Sequence, residues 1–251
     1  MAPLTIAHLS DLHVGDPHFV PDLLERAISE INGLKPDLVV CSGDLTTFGF
    51  KEEYVQARRY VDQIDCDALV VVPGNHDSRN VGYVHFEALF GERNSVLRKK
   101  GVTVVAVDST EPDLDHGQIG RGRYPWIEEE FAAEPADLRI FVLHHHLLPI
   151  PGTGRERNVV YDAGDALECL LRAGVNLVLS GHKHVPYAWK LEELYVVNTG
   201  TVSTLRLRGD TRPCYNLIRV DGTQVEVLQR YPYHGEERII EFDLGTGAYS
   251  R

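Results

Sequence analysis

The chain has little cysteine, no long hydrophobic run and no excess of positive charge, and each shortage removes a class of protein. Its four cysteines, Cys41, Cys66, Cys169 and Cys214, are scattered over 251 residues and form no C-x-x-C pair, so neither a disulfide framework nor a thiolate zinc knuckle is indicated. No stretch approaches the ~18 uninterrupted apolar residues of a membrane span, and Met1-Ala2-Pro3-Leu4-Thr5 has neither the basic nor the apolar region of a secretory leader. The expectation is therefore a cytoplasmic protein with no membrane partner. With 25 Lys+Arg against 37 Asp+Glu the net charge is −12. That charge repels a phosphate backbone at long range, and no basic patch offsets it, so nucleic acid is not the expected partner. Internal repeats, charge blocks and Pro/Gly/Ser-rich linkers are missing too, which points to one domain over residues 1–251. No Gly-Lys-Ser/Thr follows Gly152-Thr153-Gly154 and no G-x-S-x-G occurs, which removes a P-loop and a serine-hydrolase elbow.

What is present is an alternation of short apolar runs and helical patterns. Runs rich in Val, Ile and Leu recur at 4–9, 38–41, 68–72, 102–107, 140–143 and 175–179, each short enough for a buried strand. Between the first two, Leu23, Leu24, Ala27, Ile28 and Ile31 share one face of a 3.6-residue period, with Pro21 placed to start the helix and Lys35-Pro36 to end it. Similar patterns cover 52–64, 124–133 and 162–173. After Gly181 the pattern turns β-rich, and Asp221-Gly222 is a hairpin signal between 215–220 and 224–230. The reading is an α/β fold of two packed sheets with helices outside, the tail from Thr201 to Leu244 completing the second sheet.

Five strand candidates end in polar clusters: Ser10-Asp11-Leu12-His13, Ser42-Gly43-Asp44, Pro73-Gly74-Asn75-His76-Asp77, His144-His145-His146 and Ser180-Gly181-His182-Lys183-His184. In open α/β sheets the crevice beyond the carboxyl ends of the strands is where ligands bind, so one site can receive all five. Carboxylates, a carboxamide and imidazoles without a thiolate suit Mn, Fe, Zn, Co or Ni. The set exceeds the needs of one tetrahedral ion, and two ions sharing a carboxylate is the economical arrangement. Asp11, Asp44 and Asn75 are also ordinary turn-capping residues, but that alternative requires five separate strand ends to agree by accident.

Asp11-x-His13, Gly43-Asp44, Gly74-Asn75-His76-Asp77, the 144–146 histidines and Gly181-His182-x-His184 stand in the order of the calcineurin-like metallophosphoesterases, which the chain resembles from Leu4 through at least Gly200. The resemblance implies a four-layer αββα sandwich of two mixed sheets, with the metal site at the C-terminal strand ends. It further implies that Asp11, His13 and His184 hold one metal and that Asn75, His182 and one of the 144–146 histidines hold the other, with Asp44 bridging. Relatives commonly carry His-His-Pro-Pro with the first histidine as ligand. Counting back from Pro149 favours His144, with His145 the alternative. His76 is not a ligand in this pattern; it faces the scissile phosphate, and Asp77 is expected to orient it. Thr47 stands where purple acid phosphatases carry a tyrosine ligand, so a tyrosinate–iron(III) centre is not implied. Leu9-Ser10-Asp11-Leu12-His13, together with Asp108-Ser109-Thr110 and His116-Gly117, looks most like bacterial cyclic-nucleotide and glycerophosphodiester phosphodiesterases.

The implied activity is hydrolysis of a small phosphate ester, a diester in preference to a monoester, by attack of a metal-bound hydroxide on phosphorus. The implied cofactors are two metal ions, with Mn, Fe or Zn favoured. Arg155 and Arg157 follow the metal-binding histidines and are candidates to clamp phosphate oxygens, a solvated loop being the alternative. His116 is read as a surface turn in preference to a substrate contact. Two competing functions are a nuclease, disfavoured by the charge, and an inert interaction module, disfavoured because no ligand is missing.

Overall fold

The computed structural model describes residues 2–153 and 159–251. In chain order its elements are β1 (Leu4–Leu9), α1 (Pro21–Leu34), β2 (Leu38–Cys41), α2 (Lys51–Val61), β3 (Leu69–Val71), α3 (Gly82–Phe90), β4 (Ser95–Lys99), β5 (Val102–Ala106), α4 (Tyr124–Ala132), β6 (Leu138–Val142), α5 (Ala163–Arg172), β7 (Leu177–Ser180), β8 (Tyr187–Leu191), β9 (Leu194–Asn198), β10 (Tyr215–Asp221), β11 (Gln224–Arg230), β12 (Glu236–Asp243) and β13 (Tyr249–Ser250). They form two sheets, ordered β13-β12-β11-β10-β1-β2-β3 and β4-β5-β6-β7-β9-β8. The strands β1, β2 and β3 run parallel in the first sheet, and β5, β6, β7 and β9 in the second. Antiparallel strands extend both sheets outward.

The near-continuous apolar runs have a layered cause, because each central strand is buried on both faces. Alternate residues of β1, β2, β5 and β6, such as Ile6, Val40, Val104 and Ile140, meet between the sheets. Their neighbours Ala7, Val39 and Cys41 pack under α1 and α2, while Val105 and Phe141 pack under α4 and α5. The result is the expected αββα order. Tyr195 and Phe242 stack across the sheet interface with ring centroids 3.6 Å apart. Helix α1 buries Leu24, Ala27, Ile28 and Ile31, opens on Pro21, and stops where Lys35 turns left-handed (φ 49°) ahead of Pro36.

Three details differ from the sequence reading. Strands β10 to β12 join β1 in the first sheet instead of completing the second, through the antiparallel register Leu4↔Val220 to His8↔Asn216. Asp221 pairs with Gln224, so the hairpin turn is Gly222-Thr223, with Gly222 taking the positive φ of 59°. Helix α3 and edge strand β4 carry weak periodicity and were not expected; every β4 residue is half-buried, so the strand lacks a clean apolar face.

Candidate metal centre

Strands β1, β2 and β3 of one sheet and β6 and β7 of the other end at the same rim, and the turns that follow them supply the polar residues. Backbone bonds lock these turns together: Asp11 N–H donates to the Gly43 carbonyl (2.9 Å), His13 N–H to Asp44 (2.9 Å), and Gly181 N–H to His144 (3.0 Å). Asp11, His13, Asp44, His182 and His184 all have positive φ, between 51° and 75°. Left-handed backbone costs a non-glycine residue of order 1–3 kcal/mol, least for Asn, Asp and His. Five such residues at one rim mark a place where side-chain direction has prevailed over backbone ease. The turns also approach one another so closely that two glycines are sterically required. A Cβ on Gly74 would lie 2.2 Å from Asp44 Oδ1, and one on Gly181 would lie 2.4 Å from Asp11 Oδ2.

The side chains converge in two clusters. In the first, His13 Nε2 and His184 Nε2 are 2.9 Å apart, with Asp11 Oδ1 at 3.1 Å from the latter and 3.8 Å from the former. In the second, Asn75 Oδ1 is 2.9 Å from His182 Nδ1 and 3.2 Å from His144 Nε2, and those two ring nitrogens are 3.3 Å apart. Asp44 stands between them. Its Oδ1 accepts the His76 backbone N–H (2.9 Å), while Oδ2 lies 3.3 Å from His144 Nε2 and 3.6 Å from His13 Nε2.

These spacings fit metal ions. Ligand atoms about 2.1 Å from one cation stand about 3.0 Å apart in an octahedral arrangement and about 3.4 Å in a tetrahedral one. The tautomers agree, because the outer nitrogens are committed elsewhere: His144 Nδ1–H donates to the Ser42 carbonyl (2.7 Å) and His184 Nδ1–H to the Arg206 carbonyl (2.6 Å). In the neutral rings the Nε2 atoms of His144 and His184 therefore carry lone pairs turned into the two clusters, as metal ligation requires. Asp11 is aimed likewise, since its Oδ2 accepts the His182 N–H at 3.0 Å.

The electrostatics of these side chains point the same way. Burial opposes ionisation of Asp44, yet His144, His76 and His13 hold its carboxyl well below the usual range. Burial drives His13 down to about 3 and His182 well below its ordinary value. His144 and His184 are exceptions: the Asp44 carboxylate outweighs the burial of His144 and lifts it to about 9, and Asp11 raises His184 in the same way. Asp44 thus stays ionised, and its charge is balanced by the proton it favours on the His144 ring.

The structure brings together Asp11, His13, Asp44, Asn75, His144, His182 and His184, and puts His144 rather than His145 in the second cluster. His145 is anchored by Ser109, its Nδ1 2.8 Å from Oγ, with its ring packed 4.7 Å from that of His182. His76 lies beside the first cluster, its ring edge-on to His13 at 4.7 Å. Asp77 departs from expectation. Its fully buried oxygens accept N–H groups from Leu45 (3.0 Å), Thr46 (2.9 Å) and Gly74 (2.8 Å) and the Thr46 hydroxyl (2.8 Å), while the His76 ring is held by the Thr47 carbonyl, 2.6 Å from Nδ1. Asp77 thus clamps the β2 and β3 turns and leaves ring orientation to Thr47. Arg155 and Arg157 lie outside the described residues. His116 stacks edge-on against Tyr161 at 4.6 Å, and Asp108 pairs with Arg93 at 2.7 Å; both support surrounding loops.

A cleft of about 640 Å3 opens over both clusters, lined also by Phe48, Arg79, Asp115, Arg206 and Arg208. Sequence reading missed these. Arg79 follows Asp77 by two residues and was within reach of the motif, but Arg206 and Arg208 enter only because Thr201 Oγ1 and Ser203 Oγ bind the carbonyls of Asp11 (2.6 Å) and Leu12 (2.9 Å).

The family profile for calcineurin-like phosphoesterases matches residues 4–186. The chain belongs to that family. Among relatives of this phosphoesterase, a cAMP/cGMP dual specificity phosphodiesterase of Mycobacterium tuberculosis is 31% identical over 71% of the chain and 61% of its own length. A glycerophosphodiester phosphodiesterase of Enterobacter lignolyticus is 25% identical over 72% and 71%. A purple acid phosphatase from yellow lupin seeds superposes with a TM-score of 0.76 at 14% identity, over 93% of this chain and 52% of that one, which shows the shared fold. At the position of that group's tyrosine, Thr47 Oγ1 donates to the His13 carbonyl at 3.1 Å.

Proposed function

We propose that this calcineurin-like phosphoesterase hydrolyses small phosphodiesters using two bound metal ions, drawn from Mn, Fe and Zn. The observation that carries the reading is the placing of Asp44 Oδ2 within 3.3–3.6 Å of inward-facing nitrogens from both clusters. Asp11, His13, His184 and Asp44 would hold one ion, and Asp44, Asn75, His144 and His182 the other. When bound, such a pair activates water and neutralises charge on the phosphoryl oxygens. The chain's own contributions are positional and acid–base. Backbone carbonyls of Ser42 and Arg206 fix the tautomers of His144 and His184. The Thr47 carbonyl accepts a hydrogen bond from His76 Nδ1–H, which leaves Nε2 for the cleft, where the protonated ring can donate to a phosphoryl or leaving oxygen. A single domain over residues 1–251 belongs to this reading. So does a cytoplasmic location, supported by four free thiols; no helix among the described residues is long and apolar enough to cross a membrane.

The test is turnover of bis(p-nitrophenyl) phosphate beside p-nitrophenyl phosphate by chelator-stripped protein re-supplied with Mn, Fe, Zn, Co or Ni. Faster hydrolysis of the diester with one of these metals supports the proposal. Preference for the monoester moves the assignment to a phosphatase, and silence despite full metal uptake refutes it.

A further inference from the structure

We propose that Phe48, with Phe50 beside it, is an aromatic ledge that stacks on a planar aromatic group carried by the esterifying alcohol of the substrate, as a nucleobase is carried by its sugar. The inference rests on the phosphodiesterase reading and deepens it by naming what the diester carries. Phe48 lines the same cleft as His13, Asp44, Asn75 and His76 and is the one phenyl or indole ring among the described lining residues. Both rings face water, 43% exposed for Phe48 and 47% for Phe50, with centroids 5.9 Å apart and planes tilted by 37°. Burying them elsewhere would stabilise the fold, because exposed phenyl surface forgoes hydrophobic gain.

The backbone prevents that burial. The N–H groups of Phe48 and Phe50 donate to Glu53 Oε2 (2.8 and 3.3 Å), and the Phe48 carbonyl accepts from Asn80 Nδ2 (3.0 Å). Between the rings, Gly49 has φ +73°, and a Cβ there would meet the Arg79 carbonyl oxygen at 2.3 Å. On the other side Thr47 is tied to His76. The segment is held at every residue from 47 to 50, and its rings are displayed one peptide unit from the carbonyl that orients the imidazole. Other loops supply charged lining residues, Arg206, Arg208 and Lys183, which suit phosphate oxygens and hydroxyls. A rigid, exposed aromatic face beside such charge is the arrangement that stacks a base while leaving the phosphate to cations.

The experiment measures calorimetric affinity of manganese-loaded protein for AMP and for ribose 5-phosphate, which differ only by the adenine. Wild type is expected to bind AMP more tightly. Phe48→Ala is expected to weaken AMP relative to ribose 5-phosphate by roughly 5- to 150-fold, the range for loss of one base–aromatic stack, whereas Phe48→Tyr retains the preference. Unchanged melting temperatures would show that the exposed position tolerates both changes. Equal affinity of wild type for the two ligands, or an equal loss for both in Phe48→Ala, overturns the ledge. Because binding is read without turnover, failure of the phosphodiesterase reading shows separately, as absent hydrolysis in the nitrophenyl assay.

Discussion

Replacing Gly74 by alanine adds one methyl group at a crowded point of the metal-binding rim. The new Cβ would lie 2.2 Å from Asp44 Oδ1, 2.3 Å from the Asp44 backbone nitrogen and 2.8 Å from its Cγ, against 3.4–4 Å for ordinary contact. Backbone and carboxylate must therefore separate by about 1 Å or more. Gly74 N–H also donates to Asp77 Oδ2 at 2.8 Å, so the same shift loosens the clamp between the β2 and β3 turns. Overpacking of this kind costs about 1–3 kcal/mol, which for a chain of this size is about 2–12 °C of melting temperature. Displacing a shared ligand by ~1 Å lowers turnover on the order of 100-fold. Calorimetric melting, elemental analysis of metal per chain and bis(p-nitrophenyl) phosphate turnover measure the three effects. Two ions per chain with wild-type turnover would refute the claim that contact with Gly74 sets the position of Asp44. A control is Gly33→Ala in α1, where a Cβ meets nothing within 4 Å; it should stabilise the helix by about 0.5–1 kcal/mol and leave metal content alone.

Asp44→Ala is expected to deplete both ions, while His76→Ala keeps them and lowers turnover by about 100- to 10,000-fold; equal metal loss in the two variants contradicts the separate roles. Asp77→Ala strands three buried N–H groups and a hydroxyl, so it should cost on the order of 3 kcal/mol or more; denaturant unfolding that matches wild type would show the clamp to be idle. Metal uptake should release protons, because His144, raised to about 9 by Asp44 against its burial, is protonated near neutral pH and must lose that proton to bind. Apparent affinity then rises with pH until about 9, and titration calorimetry in buffers of different ionisation enthalpy reads the release; heats independent of buffer would contradict it.

Much of this molecule was legible locally. The runs at β1, β2, β5 and β6 are apolar because both faces of each strand are buried, and α1 shows its start, face and end in Pro21, Leu24–Ile31 and Lys35-Pro36. The ligands were legible for a related reason. Asp11, Asp44 and Asn75 stand two to four residues past the ends of apolar strands, where a polar residue has no use in the core, and their order identifies the family.

What the sequence left open depended on contacts between distant residues. Whether Thr201–Leu244 joined the first or the second sheet was settled by pairing of β10 with β1, more than 200 residues away along the chain. His144 and His145 are chemically identical neighbours, and the Ser42 carbonyl and the Ser109 hydroxyl, each reached across the fold, set one ring against Asp44 and tie the other to Ser109. Asp77 read as the partner of His76 because it is adjacent in sequence, yet tertiary packing gave its oxygens to the β2 turn and gave His76 the Thr47 carbonyl. The sequence by itself determined which residues could bind metal and roughly where along the chain each would stand. Tertiary structure decided which atom of each faces the centre, because the direction of a side chain depends on the hydrogen bonds of its outer atoms, and those partners come from elsewhere in the chain.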